Sequence, residues 1–271
     1  MSSESGNSNI ENGGSNIKAS RAKKKIVLPD DASLDLLVHD TSPEILIGVA
    51  ADRRLTEDLA LALLSRPDLP REALEELHKN ASVAKQRKVR LAVVMHARAP
   101  RHVSVPAIRQ LYTFELMQVA LFPTVAADIK RVTEETLISR MGTVSSGERL
   151  TLAKRSSGRV AAALLHDAET RIMQAALANP RMTESLIAHA LRSRSDTEHL
   201  APAICRHEKW STRQEIKMAL LANENTPLAR VLQIAGELPV KALKETLANS
   251  RLSANVKSYL HTAIAERGAR K

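Results

Sequence analysis

The chain has 271 residues and a formal net charge of +10; 44% of it is apolar, enough for a sizeable core, yet only five residues are aromatic (Tyr112, Phe114, Phe122, Trp210 and Tyr259). The core therefore has to be built from Leu, Ala, Val and Ile. One cysteine, Cys205, excludes an intramolecular disulfide; no apolar run approaches the ~18 residues of a membrane span, and the N-terminus lacks the apolar segment of a secretion signal, so the expectation is a soluble cytoplasmic protein with no membrane partner.

Residues 1–25 are rich in Ser, Asn and Gly and end in Lys23-Lys24-Lys25. Such a composition cannot bury enough apolar surface to order itself, which predicts a disordered basic tail. Residues 26–42 read as an apolar and acidic connector that docks on the first helices. From residue 43 to 267 apolar residues recur at three- and four-residue spacing, as in Leu186, Ile187, Ala190 and Leu191, which predicts an all-α domain of about sixteen helices with no strand. Helix starts are marked by three hydroxyl-to-carboxylate or amide pairs that fit a capping box: Ser145 with Glu148, Ser195 with Glu198, and Ser211 with Gln214.

Three strings are nearly identical: LANPRMT at 177–183, LANENTP at 221–227 and LANSRLS at 247–253. Looser copies stand at 50–56, 64–70, 94–100, 121–126 and 205–211. The string LAKRSSG at 152–158 aligns with them and adds two hydroxyls, a glycine and two cations that resemble a phosphate cradle. A phosphate loop needs a preceding strand and GxxxxGK[ST] spacing, and neither occurs, so this string reads as a turn in which Ser156 or Ser157 caps the next helix and Gly158 relieves backbone strain. The strings recur about every 25–32 residues, with shorter steps near residues 60 and 216, the second read as a half-length step. A full step equals two short helices and two turns and a short step one helix and one turn, so the repeat sometimes shows its string at both ends of a hairpin. Each such hairpin has too large an apolar face to stand alone, so neighbours must stack into an α-α superhelix.

On these LANPxxT strings and paired short helices, covering about 45–267, the chain resembles bacterial α-helical repeat proteins of the leucine-rich-repeat-variant and HEAT-like kind. The resemblance implies an armadillo-type solenoid and no particular activity. HEAT-like folds also include DNA glycosylases that hold alkylated DNA on a basic concave face with aromatic and acidic residues at the lesion. Here Trp210 aligns with Met182, Thr226 and Leu252 of the sister strings, which places it as a buried plug of a turn.

No HExxH, GxSxG, Walker loop, GxGxxG or CxxC occurs. Cys205 and His207 are two apart and diverge on a helix, so they do not make a metal site. The expectation is a non-enzymatic scaffold with no cofactor and no metal. The recurrent Asn179, Asn223 and Asn249, with Arg66, His96, Lys154 and His207 at equivalent positions, read as turn-stabilising groups. Arg71, Arg101 and Arg159 follow the turn in three repeats, where the helix macrodipole disfavours a cation. With Lys154, Arg155, Arg206, Lys209, Trp210 and Arg213 they form a candidate binding edge, whose expected partner is an acidic protein surface. The alternative is a nucleic-acid duplex held through its phosphates, since so few aromatics argue against stacking on single strands.

Overall fold

The structure is a computed structural model describing residues 28–29, 33–193 and 198–269; the basic tail and Ser195 lie outside the described residues. These residues form seventeen α-helices, numbered here in chain order, with no strand among them. The even-numbered helices are Pro43–Ala51 (α2), Arg71–Lys79 (α4), Arg101–Ile108 (α6), Ala127–Ser139 (α8), Gly158–Ala163 (α10), Glu184–Arg192 (α12), Gln214–Ala222 (α14) and Val240–Ala248 (α16). The odd-numbered are Leu34–Leu37 (α1), Glu57–Leu64 (α3), Arg87–Met95 (α5), Thr113–Leu121 (α7), Ser146–Arg155 (α9), Thr170–Leu177 (α11), Leu200–Arg206 (α13), Leu228–Glu237 (α15) and Ala254–Ala269 (α17). Their lengths run from 4 to 16 residues, a wider spread than the periodicity implies.

The contacts fall into two series. Every even helix from α2 to α14 packs on the next even helix, and α3, α5 and α7 do the same among the odd ones, as do α9 and α11. Pairs such as α5 with α6, α7 with α8 and α14 with α15 join the series. Short amphipathic helices explain this: α4 buries Ala73, Leu74 and Leu77 on one stripe and leaves Arg71 and Glu72 in water.

The buried interior is almost wholly Leu, Ala, Val and Ile, and Trp210 is its one aromatic among the described residues. It divides into a cluster from Leu34 to Val103 and a larger one from Val94 to Ile264. The division runs through α5 and α6, whose Val93 and Val103 belong to the first cluster and whose Val94, Ala107 and Ile108 belong to the second. The connector contributes α1, with Leu34 and Val38 buried, and the Arg66 guanidinium donates to the Val38 carbonyl at 2.8 Å.

The turns are of two kinds, odd-to-even and even-to-odd. This resolves the irregular spacing of the strings. Those at 64–70, 94–100, 121–126, 152–158, 177–183 and 205–211 fall on odd-to-even turns, whereas 50–56, 221–227 and 247–253 fall on even-to-odd turns. The two short steps mark where the recognisable string changes sides. The half-length step near 216 is one helix, α14, and one turn, with the string at both ends of the helix, as the sequence pattern implies.

Of the three capping boxes, Ser145 with Glu148 forms completely. Ser211 with Gln214 does not, because α14 starts at Gln214 itself with Arg213 as its N-cap. Beyond Glu198 the chain enters α13 only at Leu200, after His199.

Candidate functional site

A helix end leaves its last carbonyls without intrahelical partners. Here the next turn of the same kind supplies the donors. Asn179 donates from Nδ2 to the Ala153 and Ser156 carbonyls at 2.7 and 3.3 Å, and its Oδ1 accepts from the Arg181 amide at 2.8 Å. Asn223 repeats this on the other side of the molecule, reaching the Leu191 carbonyl at 2.7 Å and accepting from the Asn225 amide at 2.8 Å. Asn80 does so toward Ala50 and Asp52, at 3.0 and 2.7 Å.

His96 occupies the same place with different chemistry. Its Nε2 meets the Arg66 carbonyl at 2.9 Å and its Nδ1 accepts from the Arg98 amide at 3.1 Å, so the ring proton sits on Nε2. Asn249 departs from the pattern. It is exposed, and its repeat is tied back by Arg251, whose amide reaches the Ala222 carbonyl at 2.8 Å and whose guanidinium reaches the Ser193 and Arg192 carbonyls at 3.0 and 2.8 Å.

Several arginines have the same task. Arg98 donates to the Asp68 carbonyl at 2.7 Å, and Arg140 donates to those of Leu111 and Arg109 at 2.7 and 2.6 Å. A cation at the carbonyl end of a helix is favoured by the macrodipole. Part of the positive surplus therefore holds the repeats together.

The string at 152–158 is a turn of this ladder. Ser157 caps α10 by accepting from the Val160 amide at 3.4 Å, and Ser156 is buried. Gly158 is required by close approach and not by backbone strain: a Cβ there would overlap the carbonyl oxygen of Arg181 and come within 3.1 Å of Leu186 Cδ1.

All nine candidate residues lie at odd-to-even turns, which we call the first edge. Arg71, Lys154, Arg155, Arg206, Lys209 and Arg213 are exposed and meet no carboxylate among the described residues. Arg101 and Arg159 differ. Arg101 pairs with Asp128 of α8, and Arg159 pairs with Glu135 at 3.2 Å and Glu134 at 4.0 Å. Each carboxylate offsets the unfavourable dipole at its helix start, so these two arginines link neighbouring even helices. Trp210 is 3% exposed, and its Nε1 donates to the Leu177 carbonyl at 2.9 Å. It takes the place of His207 as the group that ties this turn to the preceding one. Lys209 lies over its ring, 4.0 Å from the centroid.

The only cysteine is half-buried, and burial raises its thiol pKa above the ordinary value. Among the described residues no three His, Cys, Asp or Glu side chains converge on a metal position. Beside the turn, Gln174, Glu198, His199 and Arg206 help line an open groove of about 430 Å³. No described helix is long and apolar enough to cross a membrane.

Sequence reasoning overlooked one stretch. From Leu77 to Phe114 the chain has no Asp or Glu and eight Lys or Arg. The signal was present in the sequence but lost in charge sums taken over longer segments. The structure places Lys79, Lys85, Arg87, Lys88, Arg90 and Arg109 at or beside two adjacent even-to-odd turns, the second edge, and Tyr112 and Phe114 follow the second of these turns. Burial and the positive charges of His102, Arg90 and Lys79 hold the nearby His78 below its ordinary pKa.

No protein-family model, curated protein or solved structure matches this chain.

Proposed function

We propose that the protein is a non-catalytic α-solenoid of the HEAT-like or leucine-rich-repeat-variant kind that holds an acidic protein surface along its first edge. The observation that carries this reading is the set of six exposed cations at three turns of one kind, Arg71 between α3 and α4, Lys154 and Arg155 between α9 and α10, and Arg206, Lys209 and Arg213 between α13 and α14, none neutralised by a described carboxylate. Arginine's planar fork suits carboxylates, and cations spread over several turns suit an extended partner better than a small molecule. The two-series helix packing and the carbonyl ladder support the solenoid reading, because each repeat is stabilised chiefly by its neighbours.

The glycosylase comparison loses its main support, since the one tryptophan is buried in a turn. A phosphate backbone is the other anionic partner such an edge would take.

The test is fluorescence anisotropy with a labelled acidic polypeptide and with a labelled DNA duplex, each at several salt concentrations. The expected result is polypeptide binding that the combined variant R71A/K154A/R155A/R213A abolishes. Tighter duplex binding, with a log-linear salt dependence flattened by the same variant, would replace the protein partner with a duplex. Binding unchanged by the variant would remove the edge.

A further inference from the structure

The five aromatic residues are not distributed as a core-building set. Trp210 is inside; Tyr112, Phe114 and Phe122 all belong to α7 or its caps, and all three are exposed. Tyr112 is 64% and Phe114 44% exposed, both at the start of α7 on the second edge. Neither ring belongs to the buried core. The Tyr112 amide is held by the Glu115 carboxylate at 2.8 Å, a backbone contact indifferent to the side chain.

The surroundings are cationic. The Arg87 guanidinium stacks over the Tyr112 ring, 4.5 Å from its centroid, and also pairs with Glu115. Lys88 meets Glu57 at 3.6 Å, and Lys79 meets Glu76 at 3.1 Å. Lys85 and Arg109 are exposed with no carboxylate partner among the described residues, and Arg90 and Arg140 turn their guanidinium groups to carbonyls, which leaves their charge uncompensated. Every carboxylate paired here is outnumbered, and the 77–114 stretch contributes none.

We infer that this surface binds single-stranded nucleic acid, with bases stacking on Tyr112 and Phe114 and the backbone phosphates lying along Lys85 and Arg109. Exposed rings beside unneutralised cations are the two requirements of such a site: every base has a face to stack, and each phosphate displaces counterions. A duplex hides its base faces and would leave the rings without a role. An acidic peptide would use the cations but would not need two adjacent rings.

The inference concerns other residues than the proposed acidic-protein edge, so the two fail separately. The experiment is anisotropy of the full chain with a labelled 20-nucleotide oligo(dT), its ribose equivalent oligo(U), a duplex of the same length, and poly-glutamate. Both single strands should bind more tightly than the duplex or poly-glutamate. Y112A/F114A should weaken single-strand binding about tenfold or more with the salt slope retained. K85A/R109A should flatten the slope. Y112F should bind like the parent, and R71A/K154A/R155A/R213A should have no effect. Helical circular dichroism of each variant checks that it is folded. Equal or tighter duplex binding, poly-glutamate binding as tight as oligo(dT), no binding at low salt, or affinity unmoved in a folded Y112A/F114A variant would each overturn the inference.

Discussion

The two edges of this molecule are built by the same rule and end with opposite surfaces. On both, side chains from one turn cap the carbonyls of the turn before it, as Asn179 does on the first edge and Asn223 on the second. On the first edge the aromatic ring, Trp210, is folded inward as a donor to a carbonyl, and two of the notable arginines are neutralised by Asp128, Glu134 and Glu135. On the second edge two rings face outward beside a stretch of chain with no acid in it. The difference shows that residue counts say little about surface chemistry. Five aromatics argued against single-strand recognition, whereas two of them at one place, exposed among cations, argue for it.

The sharpest way to break the comparison is to remove the inward ring. W210A should cost about 3–5 kcal/mol, read in a urea melt, from loss of a buried aromatic and of the donor to Leu177. A loss below 1 kcal/mol would mean that Trp210 does not hold the first edge. Next in size is G158A. The added methyl meets a backbone oxygen that cannot turn away, so a loss of roughly 1–3 kcal/mol is expected. A glycine kept only for a flexible turn would accept alanine at no cost, since its φ is not in the left-handed region.

The ladder can be tested by exchanging its chemistries. H96A removes the ring's bonds to the Arg66 carbonyl and the Arg98 amide and should lose about 1–2 kcal/mol. H96N should recover most of that, because asparagine presents the same donor and acceptor in Asn179 and Asn223. Failure of asparagine to rescue would separate the two kinds of turn.

The smallest effect concerns pH and the second edge. His78 in the folded chain has a pKa below the ordinary histidine value of about 6.5, first from burial and then from neighbouring positive charge. Below about pH 6.5 the unfolded chain takes up a proton there that the folded chain resists, so stability falls as pH drops. The urea midpoint should be lower at pH 5.5 than at 7, and H78Q should shrink the difference. An unchanged difference would assign the loss to other groups.

Much of this architecture was legible in the chain. The 3.6-residue periodicity gave the helices, and the LAN strings marked turns held by a polar side chain, though not that this side chain reaches back one repeat. The structural reading of the asparagines agrees with the bonds of Asn179 and Asn223, and the buried placement of Trp210 followed from its alignment with Met182. Other features were hidden for physical reasons. Asn249 has the same string around it as Asn223, yet it sits exposed because Arg251 makes the backward contacts of that turn. Arg101 and Arg159 looked free because their carboxylates stand 27 and 24 residues away in sequence, on a neighbouring helix. The pairing of Arg87 with Tyr112 also joins residues of successive odd helices, α5 and the cap of α7.

The backward-reaching bonds have a mechanical meaning as well. Most span one repeat, as Asn179 to Ala153 spans 26 residues, so a disturbance at one turn is felt mainly by its neighbour. Arg251 is different: its guanidinium reaches 58 and 59 residues back and staples the last turns across the one between. Once α17 has come away, peeling the chain from its C-terminal end must break this staple before α16 can leave. Under force or at the onset of melting, that end should yield in one larger step and not repeat by repeat.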